Sequence, residues 1–236
     1  MAKERIDKVI SKIMCISRSD ARRLIKIGKV FLEGERVKAF DTKVDESSDI
    51  VVNGKPITYS EKVYIMMNKP QGVVCDDKDA APYAPSILDE ELRRKDLFCV
   101  GRLDKDTTGL LIITNDGDFA HKVISPKKHI KKRYRVTLAH ALTDENIKTA
   151  EKGITLSDGT ELLPASIENL SAGRKEADFI IEEGKYHQIK RMAGALENKV
   201  INLKRIGIGS LSLDEDLTEG KAKKLTRKEL DKIFAD

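Results

Sequence analysis

The sequence predicts an α+β protein built from a small N-terminal module and a larger domain. Short segments with the alternating pattern of strands are separated by turn residues and mixed with helical patterns, without a regular strand–helix repeat. The length of 236 residues fits two unequal domains or one large domain. The chain is 40% hydrophobic and 35% charged, which indicates a packed core and not a disordered polymer.

The first 60 residues contain the signals of two helices. Apolar side chains recur at helical spacing between residues 6 and 13. Ser17, followed three residues later by Asp20, is typical of a capping box, and Gly28 is placed to end the second helix. The side chains expected to be buried by these helices are Ile6, Val9, Ile10, Ile13, Ala21, Leu24 and Ile25.

Strands and turns complete the predicted module. Val30–Leu32 and Ile50–Val52 are expected strands, and Asn53-Gly54 favours a hairpin turn. Residues 59–62 are the expected linker. In the larger domain, the patterns predict strands at 64–68, 98–100, 110–114, 133–138 and 179–181, a helix through Ile189, Met192, Ala193 and Leu196, and a capped terminal helix beginning at Thr226.

Cysteine usage and hydropathy exclude several classes of protein. The three cysteines are an odd number without C-x-x-C spacing, so neither a disulfide framework nor a zinc site is expected. No signal peptide is visible, and the densest apolar run, residues 110–113, is too short to span a bilayer. We therefore expect a cytoplasmic protein with reduced thiols and no membrane partner.

Basic side chains are concentrated in three runs, although the formal net charge is only +5. Residues 1–29 hold nine basic and three acidic side chains, residues 121–135 hold seven and none, and residues 185–205 hold six and one. Such runs attract phosphate backbones, but charge alone does not distinguish RNA from duplex DNA. On the second helix, we expect four side chains to bind RNA: Arg18, Arg22, Arg23 and Lys26.

The segment Gly101–Gly117 carries the candidate chemistry. Polar residues, including Asp104 and Asp106, lie between two apolar runs, which is typical of an active-site loop on a rigid scaffold. A purely structural turn, in which the Asp and Thr side chains cap backbone groups, explains the same residues equally well.

Two further segments are candidates to meet this loop. His187, Lys190 and Arg191 have the spacing of one helix face, where cations can pair with a carboxylate or a phosphate. For His187 a helix-terminal hydrogen bond is the favoured role over a general base. Tyr134 lies on the apolar face of its predicted strand, a position that favours ordinary core packing.

The sequence resembles bacterial ribosomal RNA pseudouridine synthases in four ordered blocks. These are Lys69-Pro70-x-Gly72, Gly101–Gly117, Lys132-x-Tyr134-x-Val136 and Glu183–Met192, with a weaker fifth at Leu203-Lys204-Arg205. The N-terminal part is similar to the alpha-L-type RNA-binding module, through Ser17 to Val30. The resemblance implies domains at 1–58 and 62–236, the second with a mixed, mainly antiparallel sheet flanked by helices.

The resemblance also implies roles for individual residues. The family's catalytic aspartate falls on Asp104, its active-site tyrosine on Tyr134 and its basic partner on Lys190, where many members have arginine. Because lysine lacks the guanidinium fork, Arg191 is expected to share this role. Arg102 and Lys69 are expected to contact RNA. A cation beside Asp104 is expected to lower its pKa. No cofactor and no metal are expected.

The expected substrate is ribosomal RNA, acted on by a monomer. Residues 119–138 and Leu163-Pro164-Ala165 are most similar to the small-subunit enzymes, so small-subunit RNA or an assembly intermediate is favoured over large-subunit RNA. Two other functions remain as alternatives. Asp104-x-Asp106-x-Thr108 matches the D-x-D-x-T signature of haloacid-dehalogenase-type phosphatases, and the basic runs alone would suit a non-catalytic RNA-binding factor.

Overall fold

The structure, a computed structural model, describes residues 3–76 and 82–235. Its helices are α1 Ile6–Ile13, α2 Arg18–Lys26, α3 Gly117–Ile124, α4 Asp144–Lys152, α5 Gln188–Ala195 and α6 Arg227–Ile233. Its strands are β1 Glu4–Arg5, β2 Val30–Leu32, β3 Glu35–Arg36, β4 Lys43–Val44, β5 Ile50–Val52, β6 Lys55–Ile57, β7 Tyr64–Lys69, β8 Phe98–Cys99, β9 Thr108–Thr114, β10 Lys132–Leu138, β11 Ile154–Thr155, β12 Glu161–Leu162, β13 Ser166–Glu168, β14 Glu176–Ile181, β15 Val200–Ile208, β16 Leu211–Ser212 and β17 Ala222–Lys224.

The N-terminal module packs α1 and α2 on an antiparallel sheet of order β3-β2-β5-β6. The predicted cap of α2 is confirmed, because the Ser17 hydroxyl accepts the Asp20 N–H at 3.0 Å. Leu24, expected to be buried, is only partly so. Tyr59, expected in the linker, is 3% exposed and belongs to the module's core, so the linker begins after it.

The larger domain is organised by a nine-stranded sheet of order β13-β14-β10-β15-β9-β7-β17, with β16 beside β15 and β8 beside β9. Its pairs are antiparallel except β9 with β15, which run parallel through Thr108 and Gly109. Gly109 has φ +99°, and a Cβ atom there would overlap the carbonyl oxygen of Arg205. Only glycine permits this close approach of the two strands.

A core lies on each face of this sheet, as the period of two along the strands requires. On one face, Tyr134, Val136 and Leu138 of β10 pack with helices α4 and α5. On the other, Leu110 and Ile112 of β9 pack with helices α3 and α6. The first face carries the site described below. Across residues 3–76 and 82–235, none of the helices combines the length and apolarity that a membrane crossing requires.

Candidate active site

The loop before β9 is anchored on both sides of Asp104. The Leu103 side chain is buried, and its N–H donates to the Cys75 thiol at 3.4 Å. The Lys105 carbonyl accepts the Gly72 N–H at 2.7 Å. These two bonds connect the loop to the segment after β7, which contains the Lys69-Pro70-x-Gly72 block. Asp104 itself is partly buried, with 29% of its side chain exposed.

Lys190, in the first turn of α5, binds two carboxylates of this loop. Its Nζ atom lies 2.8 Å from Asp104 Oδ2 and 2.6 Å from Asp106 Oδ1. Desolvation acts to lower the pKa of Lys190, but the hydrogen bonds to Asp104 and Asp106 outweigh it and raise that pKa. The hydrogen bond from Lys190 also lowers the pKa of Asp106. The site therefore holds a protonated amine against its carboxylates.

A hydrogen-bonded turn directs α5 at the loop. Glu183 is buried and accepts hydrogen bonds from Gln188 Nε2 and the Leu163 N–H, both at 2.9 Å. Gln188 Oε1 accepts the Lys185 N–H at 2.9 Å. Glu183 and Gln188 had no predicted role of their own. The hydrogen bond between these two side chains, which are five residues apart, fixes where the helix begins.

His187 is the N-cap of α5 and not part of its face, with a left-handed φ of +48°. Its Nε2 atom lies 3.4 Å from Asp104 Oδ1, and its ring stacks on Tyr186 at 3.8 Å between centroids. His187 therefore lies at the helix terminus without the predicted capping hydrogen bond from its side chain, and its imidazole is turned toward the carboxylate. Tyr186 is 68% exposed and was not singled out from the sequence.

Tyr134 and Asp104 line one small pocket of about 80 Å³. Tyr134 is 9% exposed and lies in register with Phe179 of β14 and Arg205 of β15. Thr107 also lines the pocket, and its hydroxyl, buried, has no hydrogen-bond partner among the described residues. The remaining lining residues are Arg102, Leu103, Ile181, Gly184, Lys185, His187, Gln188, Ile189 and Leu203.

The predicted RNA-contacting residues of this domain fall in different environments. Arg102 is exposed at the pocket, where it binds Asp76. Arg191 binds Asp158, whereas Lys190 binds Asp104 and Asp106, so a shared role for Arg191 stays a prediction. Lys69 is fully buried, and its Nζ atom donates to the carbonyls of Pro70 and Val73. Lys69 therefore has no surface with which to contact RNA, and burial lowers its pKa.

On α2, the four predicted RNA-binding side chains divide into two pairs. Arg18 and Arg22 each approach Asp7 at 2.9 Å. Asp7 is fully buried; its desolvation is outweighed by hydrogen bonds from Arg22, Arg5 and Arg18, which lower its pKa to about 2. Arg23 and Lys26 are exposed. All four remain at least partly accessible, so α2 keeps a basic surface, but Asp7 fixes the geometry of half of it.

The part of the chain that the structure describes contains no group of three His, Cys, Asp or Glu side chains arranged to hold a metal ion. What it does bring together, within hydrogen-bonding distance, is an acidic loop and a basic helix start beside a buried tyrosine. Such a site can present a carboxylate and a cation to a polar ring, with an aromatic face beside them.

A family model described as RNA pseudouridylate synthase matches residues 63–195, more than half of the chain. The chain belongs to the RNA pseudouridylate synthase family. A second model, described as S4 domain, matches residues 4–51. The chain is therefore a pseudouridine synthase with an N-terminal S4 domain, and family membership replaces the phosphatase interpretation of Asp104-x-Asp106-x-Thr108. In this pseudouridine synthase both aspartates of that pattern bind Lys190.

Relatives that align over nearly the whole chain are also named as pseudouridine synthases. A Vibrio cholerae protein named ribosomal small subunit pseudouridine synthase A is 42% identical, covering 98% of this chain and 99% of its own. The Escherichia coli K12 protein of the same name is 38% identical, with coverages of 96% and 98%. A Bacillus subtilis protein named uncharacterized RNA pseudouridine synthase YtzG is 39% identical over 96% of both chains. A solved structure titled crystal structure of pseudouridylate synthase aligns at TM-score 0.69 and 38% identity, covering 98% and 99%.

Proposed function

We propose that this pseudouridine synthase converts a uridine of small-subunit ribosomal RNA to pseudouridine, with Asp104 as its catalytic carboxylate and no cofactor. The choice of small-subunit RNA is proposed from the names of the Vibrio and Escherichia relatives, which align with nearly the whole chain. The S4 domain and the exposed basic residues of α2 support RNA as the ligand.

The contact between Asp104 and Lys190, beside Tyr134, carries the residue assignment. In the isomerisation, the bond from ribose C1′ to uracil N1 breaks, the uracil turns, and its C5 bonds to C1′. C5 then releases a proton and N1 gains one, so no atom is lost and no oxidation state changes. A reaction of this balance needs positioned acid–base and nucleophilic groups rather than a redox or group-transfer cofactor.

Asp104 acts as an anion held in place by Lys190. Attack on C1′, attack on the uracil ring and removal of the C2′ proton all require an ionised carboxylate, and they differ in the bond that Asp104 forms. Tyr134 offers its ring to the uracil and its hydroxyl to the proton that leaves C5. The unpartnered hydroxyl of Thr107 is available to a polar edge of the base.

The target nucleotide has to leave its stack to reach this pocket, at a cost of about a few kcal/mol. A volume of about 80 Å³ is below the few hundred typical of small-molecule pockets, so the exposed rim side chains move when a nucleotide enters. Arg102 on that rim is placed to exchange its contact with Asp76 for the phosphate or the vacated stack of the RNA.

The proposal is tested with purified protein and unmodified transcripts of small- and large-subunit ribosomal RNA. Pseudouridine is mapped by chemical modification and reverse transcription. We expect one site in the small-subunit transcript or in small-subunit particles, and none in large-subunit RNA. Modification confined to large-subunit RNA would overturn the substrate assignment, and modification by an Asp104→Asn variant at near wild-type rates would overturn the residue assignment.

A further inference from the structure

The second cavity of the catalytic domain lies between the end of α3, the start of β10 and the end of α6. Its volume is about 430 Å³, within the range typical of ligand sites. Three lysines line it, Lys122, Lys128 and Lys131, together with an apolar floor formed by Ile130, Ile233 and Phe234. We call it the α3–α6 cavity. None of the residues proposed above for catalysis lines it.

We propose that the α3–α6 cavity is an RNA subsite, which binds a phosphate and the base of a nucleotide on the same RNA strand as the target uridine. This inference rests on the proposed function and extends it, because the cavity supplies a second binding site for the same RNA strand. The ligand chemistry is that of a single-stranded ribonucleotide segment: an anionic backbone with an exposed aromatic ring.

The charge of the cavity is the first argument. The basic run 121–135 divides in the structure, because Arg133 and Arg135 turn to Asp178, whereas the three cavity lysines are exposed and form no ion pair with any described residue. His129 faces an acid, with its Nδ1 atom 3.1 Å from Glu182 Oε2. Lysines without a protein carboxylate are available to phosphate.

The aromatic floor is the second argument. Phe234 is 47% exposed, although its ring packs edge-on against Phe119 with centroids 5.8 Å apart. The back wall is tight, since a Cβ atom on Gly209 would overlap the carbonyl of Ile233, and the Ser210 N–H donates to the Lys232 carbonyl at 2.9 Å. A rigid apolar wall with one exposed aromatic face, ringed by lysines, is the arrangement on which unpaired bases stack.

The position of the cavity at the start of β10 is the third argument. Tyr134 follows Lys131 by three residues along the chain into β10, a span of roughly 10 Å at the rise of a strand. Ile181, which lines the active-site pocket, lies opposite Lys132 in the β10–β14 register. On the other side, Ile124 of α3 abuts Gly101, the residue before Arg102. The cavity residues belong to the face opposite to the one that carries Asp104, so an RNA strand reaches the cavity from the active site round this end of the sheet.

The test compares a cavity variant with a matched control, using the ribosomal RNA transcript that the wild-type enzyme modifies. The cavity variant is Lys122→Gln/Lys128→Gln/Lys131→Gln. The control removes three equally exposed, unpaired lysines outside both cavities, Lys148→Gln/Lys152→Gln/Lys175→Gln. We expect the KM of the cavity variant to rise about tenfold, and the slope of log Kd against log salt to fall by about 2, with kcat little changed.

A second variant, Phe234→Leu, tests the stacking surface while keeping an apolar side chain in the floor. We expect it to weaken RNA binding at least about fivefold and to leave the salt slope unchanged. Equal KM and salt slope in the cavity and control triple variants would overturn the proposal. Loss of activity on ribosomal particles with unchanged affinity for naked RNA would also overturn it, in favour of a protein ligand. Failure of the proposed function is distinct, because the wild-type enzyme would then modify neither transcript.

Discussion

The Nζ atom of Lys190 is shared between Asp104 and Asp106, at 2.8 Å and 2.6 Å. Asp104 lines the pocket with Tyr134, whereas the Asp106 side chain is 61% exposed and lies outside its lining. The two carboxylates therefore have the same charge and the same partner, Lys190, but only Asp104 lines the pocket in which we place the substrate.

For Asp104→Asn, we expect kcat to fall at least about 10³-fold with RNA affinity near wild type, because a neutral amide cannot supply the anion. Single-turnover pseudouridine formation and filter binding measure the two quantities. Asp106→Asn is the control and should stay within about threefold of wild type, because it leaves the Asp104 contact intact. Equal losses in both variants would contradict the assignment.

For Lys190→Gln, we expect kcat to fall about 10²-fold, since the amide cannot neutralise Asp104. Lys190→Arg should retain most of the activity, because a guanidinium can hold both carboxylates through separate N–H groups. Separate measurement of kcat and KM decides between the two roles. A rise in KM without a fall in kcat, or equal activities of the two variants, would place Lys190 in RNA binding and not beside the reacting atoms.

For Thr107→Val, we expect activity to fall while stability is kept. The Thr107 hydroxyl is buried without a partner in the described structure, so replacing it with a methyl group should change the free energy of unfolding by less than about 1 kcal/mol. Thermal unfolding and steady-state kinetics are the paired measurements, with Thr107→Ser as the variant that restores the hydroxyl. A fully active Val variant would show that the hydroxyl does not touch substrate.

The S4 domain should lose stability in acid through Asp7. Its pKa is lowered from 3.8 to about 2, so its contribution is fully present above pH 3.8 and is lost as the pH falls through about 2. Asp7→Asn should remove about 2 kcal/mol at neutral pH and flatten the stability of this domain between those limits. Denaturant unfolding of the two proteins at pH 2–7 tests this; parallel curves would refute it.

Deletion of residues 1–59 should weaken RNA binding and leave the catalytic domain folded. The cut follows Tyr59 because its ring belongs to the core of the S4 domain. Few contacts are lost, among them Lys12 with Asp96 at 3.6 Å and the Lys95 N–H with the Lys12 carbonyl at 3.0 Å. Circular dichroism and filter binding measure the outcome. Unchanged modification of RNA by the shortened chain would remove the domain from substrate recognition.

The sequence predicted well where one local signal determined the structure. The Ser17 and Thr226 caps, the turn at Asn53-Gly54 and the alternating strand β10 all formed as expected. It predicted poorly where long-range contacts decide. β15, the longest strand, was not predicted as one, because a central strand carrying Lys204 and Arg205 does not read as a buried apolar run.

In the site, the sequence identified candidate residues but not the partners that their side chains contact. Lys69 and Arg191 were expected among the functional residues because of the resemblance to the family. The structure buries Lys69 beside the carbonyls of Pro70 and Val73, which are close in the chain, and turns Arg191 to Asp158, which is 33 residues away. Thr107 and Tyr186 carried no pattern of their own: Thr107 is singled out by the pocket that it lines, and Tyr186 by its stacking on His187.

The position of β15 has a consequence during synthesis of the protein. The strand lies between β10, which carries Tyr134, and β9, which follows the Asp104 loop. Because residues 200–208 are made late, a nascent chain holds two half-sheets and no complete pocket until this strand inserts between them. A chain that stops before residue 200 therefore lacks the strand that joins Tyr134 to the Asp104 loop, and it cannot form the complete pocket in which we place catalysis.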